Sequence, residues 1–190
     1  MGSIRTFTPV KLFAGILASE AECLAAAESG LSSEYGPIDL RSPVIPFTFT
    51  DYYRRETGGN IVRMFLSFER LIDAGQLPEI KRRTNALEDD FAAAGRGVKR
   101  PVNLDPGYVE HSKVVLASTK NFYHRMYLGR GIFGEVTMHF RNNTWEFFPW
   151  TYPDYQSSEY QKFFLELRRL YRAQLRTMCL VKQDNQGKAP

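Results

Sequence analysis

The sequence predicts a single α+β domain with a ferredoxin-like βαββαβ core, extended by a C-terminal antiparallel β-meander and a final amphipathic helix. Three observations lead there. Up to residue 104, apolar β-rich runs and helical stretches follow one another in the order strand, helix, strand, strand, helix, strand. From residue 122 to 150, three more β-rich runs are separated by short turn signals. After Ser157, apolar residues recur at helical spacing.

Composition sets the bounds. The chain has 190 residues, 43% of them apolar and 14% aromatic, which is enough for a real core and the opposite of a disordered composition. No run approaches the roughly 18 apolar residues of a membrane span, so no membrane contact is expected. Met1 is followed by no long apolar stretch, as a secretory signal would require. Cys23 and Cys179 are the only cysteines, too few for a disulfide framework or a structural zinc site. A cytoplasmic protein is the expectation. Basic residues number 25 against 21 acidic, a net charge of +4, which is a mild excess. Residues 1–180 are expected to form the domain, with 181–190 as a polar, disordered tail.

Val10 to Leu17 reads as a buried strand. Ser19-Glu20-Ala21-Glu22 has the form of a capping box before an Ala-rich helix, and Gly36-Pro37 stops that helix. Ser42 to Thr50 is β-rich but interrupted by Pro43 and Pro46, as in an edge strand or irregular segment. Asp51 to Asn60 is a polar loop. Val62 to Ile72 is a second strand, with Met64, Leu66 and Phe68 on one side. Pro78 opens a helix whose Ile80, Leu87 and Phe91 share a face, and Gly95-Arg96-Gly97 ends it. Val98 to Leu104 reads as a short strand before a turn at Asp105-Pro106-Gly107. Val109 to Ser118 is expected as a short helix, although its Val-Val-Leu centre also suits a strand. Phe122 to Leu128, Gly131 to Arg141 and Thr144 to Trp150 form the meander, with Asn142-Asn143 at a tight turn. Tyr160, Phe163, Phe164, Leu167, Leu170, Tyr171 and Leu175 mark the last helix.

Several stretches together resemble a bacterial family, the domain-of-unknown-function family 4416. They are Val10 to Leu17, Phe49-Thr50-Asp51-Tyr52-Tyr53, Phe68 to Ile72, Asn103 to Tyr108 and Trp150 to Tyr155. The block from Ala117 to Thr137 fits as well. The likeness covers nearly the whole chain in order. It implies no catalytic residues; some members carry the label "GTP-binding protein". A P-loop would need Gly-Lys-Ser/Thr between a strand and a helix, and the only Gly-Lys pair is Gly187-Lys188 in the tail. Gly129-Arg130-Gly131-Ile132-Phe133-Gly134-Glu135-Val136 matches a kinase glycine-rich loop letter for letter, but the other kinase elements are missing. Glycines at a hairpin turn explain it.

The chemistry-bearing residues are few. A two-residue turn at Gly129-Arg130 would set Met126 opposite Phe133 and His124 opposite Glu135, with Cβ atoms about 5 Å apart. A carboxylate there favours an imidazolium or orients a neutral ring; a cross-strand ion pair on a solvated face is the plainer reading. His139 would lie about 13 Å from Glu135, too far to share a metal. Asp51-Tyr52-Tyr53, Asp105-Pro106-Gly107-Tyr108 and Asp154-Tyr155 each join a carboxylate to a ring near a turn, either as turn formers or as a converging pocket. His111, His124 and His139 lack the Ser or Thr two residues on that paired phosphoesterase motifs use. Lys162, Arg168, Arg169, Arg172 and Arg176 lie off the apolar stripe of the last helix, as a solvated face would.

These residues point first to a domain binding a small anionic or nucleotide-type ligand, with a possible enzymatic role. Its pocket would lie between the core and the meander. His124 and Glu135 are its candidate catalytic pair. Asp105, Tyr108, Lys120, Arg125, Asp154 and Tyr155 are its candidate ligand contacts. The residues name no cofactor, no metal set and no oligomeric state. An RNA-associated module using the basic helix is the alternative, and a structural or regulatory partner protein without a site is the third reading.

Overall fold

The computed structural model describes residues 7–49, 61–94 and 100–186, with side chains as far as Met178. The loop Asp51–Asn60, including Asp51-Tyr52-Tyr53, and the helix stop at Gly95-Arg96-Gly97 lie outside the described residues. The protein is a mixed α/β structure built on one large antiparallel sheet.

The apolar runs that read as strands do form strands: β1 (Val10–Ala18), β2 (Ile38–Arg41), β3 (Ile45–Pro46), β4 (Val62–Ile72) and β5 (Val102–Val109). They are followed by β6 (Lys113–Ser118), β7 (Met126–Gly129), β8 (Ile132–Arg141) and β9 (Thr144–Phe147). The sheet order is β2-β4-β1-β5-β6-β8-β7, with β3 beside β4 and β9 beside β8. Every pairing is antiparallel.

Because side chains alternate across a strand, β1, β4 and β5 each serve two layers. Leu12, Ala14, Ile16, Met64, Leu66, Phe68, Val102 and Leu104 pack under α1 (Ala21–Tyr35) and α2 (Leu77–Ala93). Phe13, Phe65 and Val109 face the other way, toward α3 (Ser158–Gln186). Phe65 sits among five rings there, those of Phe13, Tyr155, Tyr160, Phe163 and Phe164, at centroid distances of 4.6–6.4 Å. Each such pair adds about 0.5–1.5 kcal/mol beyond burial, which is what fastens α3 to the sheet.

Five expectations are corrected. The Ser19 hydroxyl makes no cap: Glu20 holds the N-cap position without a side-chain bond, and the Ser19 N–H goes to Pro101 O. Asp105-Pro106-Gly107 is not a turn but the middle of β5. The ladder to β6 covers only Gly107, Tyr108 and Val109, so Pro106 lies just beyond its end, where a missing N–H is tolerated. Gly107 serves close approach: a Cβ there would lie 2.4 Å from Val115 O and 2.6 Å from the Phe13 ring. Val109–Ser118 is the end of β5 and all of β6, as its Val-Val-Leu centre allowed, since tertiary pairing overrides local preference. In the β7–β8 hairpin the central residues are Arg130 (φ 55°) and Gly131 (φ 78°), and a bulge lies between Tyr127 and Gly129. Met126 therefore pairs with Gly134, one residue off the expected register. Lastly, α3 continues to Gln186, past the expected boundary at residue 180; residues 187–190 lie outside the described part.

Candidate functional site

On the α3 side of the sheet, a cleft of about 410 Å³ opens between β4, β5, β6, β8 and the segment Tyr152–Tyr155. Hydrogen bonds to β8 hold that segment in place. Thr151 Oγ1 donates to Thr137 O, Trp150 Nε1 donates to Val136 O at 3.0 Å, and Phe148 N donates to Thr151 Oγ1 at 2.8 Å. Pro153 then starts a short 3₁₀ turn that brings Asp154 and Tyr155 inward, both buried.

The inner end of the cleft is built around Arg63. This guanidinium is 4% exposed and donates to Asp105 Oδ2 at 2.9 Å, with Asp154 Oδ2 at 3.6 Å. Arg63 stands on β4 and Asp105 on β5, with β1 between them. The side chain must therefore cross a whole strand, and it does so over Gly15, which pairs with both Phe65 and Asp105. A Cβ on Gly15 would lie 2.8 Å from Arg63 Nη1. Burial alone would raise the Asp105 carboxyl, but the Arg63 charge overrides it and holds the group below its ordinary value. Asp154 goes the other way: burial raises it, Arg63 only partly compensates, and the Asp105 charge adds to the rise. Burial likewise pushes the Tyr155 phenol well above its ordinary value. Arg63 Nε and the Tyr155 hydroxyl are buried without a hydrogen-bond partner.

The outer end is built around Arg125. Phe122–Arg125 is a turn closed by the Arg125 N–H to Phe122 O at 2.9 Å. It folds His124 and Arg125 back onto Glu135 of β8. Arg125 Nε donates to Glu135 Oε2 at 2.7 Å, Nη1 to Ser118 Oγ and Lys120 O at 2.9 Å each, and Nη2 to the Tyr152 hydroxyl at 2.8 Å. Glu135 is 2% exposed. Its Oε2 also meets His124 Nε2 at 3.0 Å, and its Oε1 accepts from Thr137 Oγ1 at 3.3 Å. The imidazole is stacked flat on Trp150, with centroids 5.1 Å apart and planes 8° apart, so its orientation is fixed.

Of the residues singled out from the sequence, Asp105, Lys120, Arg125, Glu135, Asp154 and Tyr155 line this cleft. His124 meets Glu135, as expected, but from a turn rather than from a paired strand position, and it is not among the lining residues. Tyr108 is on the wrong face. With Asp105-Pro106-Gly107 extended rather than turning, strand alternation sends Tyr108 toward the α1 and α2 layer. The sequence reading missed Arg63, Gly15, Ser118 and Tyr152. Arg63 did leave a signal, a charge within the otherwise apolar first half of β4, and Gly15 leaves one as a glycine inside a buried strand.

Elsewhere the chemistry is sparse. Among the described residues, no group of three or more His, Cys, Asp or Glu is placed to hold a metal ion. His139 pairs with Glu146 at 3.0 Å. On α3, Lys162, Arg169, Arg172 and Arg176 are exposed, while Tyr160, Phe163, Phe164 and Tyr171 are buried, so that helix offers charge without stacking rings. Arg168 is engaged, donating to His111 O at 2.8 Å and lying 3.6 Å over the Phe140 ring. No described helix is long and apolar enough to cross a membrane.

No curated protein and no solved structure matches the chain. Residues 8–171 match the family described as Domain of unknown function (DUF4416), and the chain belongs to that family.

Proposed function

We propose that the protein binds a small anionic ligand in the cleft beneath Tyr152–Tyr155. The observation that carries this reading is the state of Arg125. Four of its five N–H groups are already spent on Glu135, Ser118, Lys120 O and Tyr152. Such a guanidinium is held rigidly at the cleft wall with one donor left over, so little order must be gained when an anion arrives. Lys120 belongs to the same wall. Phe47 and Phe49 line the cleft too, and Phe49 is 43% exposed, a face available to an apolar or planar portion of the ligand. His124 acts in this reading as a positioning residue that orients Glu135, which in turn orients Arg125.

The frame that presents the cleft fits the split βαβ, ferredoxin-like reading of the core. What supports it is the order β2-β4-β1-β5, all antiparallel, with α1 and α2 packed on one face. The cleft lies on the opposite face, where the meander and α3 have been added.

Thermal-shift screening of nucleotides, sugar phosphates, inorganic phosphate and divalent cations tests the proposal. A ligand that binds the native state raises the melting temperature by mass action. An anionic probe should stabilise the wild type and lose that effect in Arg125→Ala. An anion that stabilises both proteins equally would place its site elsewhere.

A further inference from the structure

The two ends of the cleft differ in charge. At the outer end, the Arg125 guanidinium is matched by one carboxylate, Glu135. At the inner end, one guanidinium, Arg63, sits between two carboxylates, Asp105 and Asp154. An anion drawn to the outer end is repelled from the inner one. The two ends therefore take different parts of one ligand.

The inner end also has unused hydrogen-bonding capacity of mixed sense. Arg63 Nε–H is a donor without a partner, and the Tyr155 hydroxyl, able to donate or accept, has none either. The carboxylates of Asp105 and Asp154 are acceptors. A fully ionised phosphate only accepts, and its charge is repelled by the carboxylates. An ammonium only donates, so it cannot satisfy Arg63 Nε–H and is repelled by that guanidinium. A hydroxyl does both at once. Leaving such buried groups unpaired is costly, so a ligand that pairs them is selected strongly.

We infer that the inner end, bounded by Arg63, Asp105, Asp154 and Tyr155, binds the hydroxyl groups of a sugar, which makes the ligand of this cleft a phosphorylated sugar or a ribonucleotide rather than a simple anion. This rests on the anion-binding reading above and adds the hydroxylated part of the ligand to it.

Titration calorimetry of the full chain with ribose 5-phosphate, inorganic phosphate and phosphoethanolamine separates the cases. Ribose 5-phosphate should bind at least about tenfold more tightly than either other probe, the equivalent of one charge-assisted hydrogen bond. Tyr155→Phe and Asp154→Asn, both close in shape to the original residues and checked for folding by circular dichroism, should each bring ribose 5-phosphate affinity down to that of inorganic phosphate. Equal binding of phosphate and ribose 5-phosphate would overturn the inference while leaving the anion site standing. Tightest binding by phosphoethanolamine would overturn it in favour of an ammonium at the inner end. Binding of none of the three would overturn it together with the anion site.

Discussion

Lys11 and Arg63 are both cations held in the sheet on its α3 side, and the contrast between their surroundings separates structure from function. Lys11 is 0% exposed; its ammonium donates to Asp39 and to Phe68 O at 2.6 Å, and Ser67 Oγ completes the set by donating to Asp39 Oδ1 at 2.6 Å. Burial lowers the Lys11 ammonium, although the bond to Asp39 works against that fall. Each polar side chain in that network has a partner. Arg63 is equally deep, but it opens on a cleft, shares its charge between two carboxylates and has an unpartnered Nε–H beside an unpartnered phenol. A closed buried network fixes the fold; an open one beside a cavity has donors and acceptors that a ligand of the proposed kind would complete.

The largest effect should come from breaking the closed network. Asp39→Ala leaves a fully buried ammonium without its carboxylate and should cost about 3–5 kcal/mol in urea denaturation. Arg63→Met should cost less, about 1–3 kcal/mol, because Asp105 is 28% exposed and Asp154 is disposed to take up a proton. A loss in Arg63→Met as large as that in Asp39→Ala would erase the distinction drawn between the two sites. Gly15→Ala sharpens it further. The new methyl would press on the Arg63 guanidinium and on the Phe65 ring 3.0 Å away, so about 1–3 kcal/mol of stability is expected to go, as in overpacking, while ribose 5-phosphate binding is lost in calorimetry.

The smallest effect is a pH dependence. Asp154 has a folded value raised above its ordinary 3.8, so its ionisation costs stability as pH rises through that raised value, and the cost is absent below 3.8. Asp154→Asn should therefore melt higher than the wild type at pH 8, with the difference vanishing as pH falls toward 3.8. Asp105 contributes in the opposite sense, since its depressed value adds stability at neutral pH that is lost as pH falls through it. Melting curves at pH 2, pH 4 and pH 8 for the two Asn variants check both signs, the Asp105 contribution being lost between pH 4 and pH 2. Parallel behaviour of Asp105→Asn and Asp154→Asn would show that Arg63 does not discriminate between them.

Much of the fold was legible in the residues because the signals are local. Alternating apolar residues in β4, the Gly36-Pro37 stop, Pro78 at a helix start and the Asn142-Asn143 turn each act through their own backbone or immediate neighbours. The misread segments are those where a distant partner decides. Asp105-Pro106-Gly107 has turn composition, yet β1 pairs with it along its length and holds it extended. The contact between His124 and Glu135 was expected from a register that does not exist. It forms because the turn at Phe122–Arg125 carries the imidazole across, which no alternation rule could supply.

By itself, then, the sequence determined the kinds of elements, their order and the polar residues on hand, since propensity, periodicity and turn chemistry are written within a few neighbouring residues. Only the tertiary structure decided which of those polar residues meet. Arg63 reaches Asp105 across β1 because three strands far apart in the chain lie side by side and the middle one has a glycine at the crossing point. That neighbourhood arises from burying two faces of one sheet, a property of the assembled layers and of no single segment.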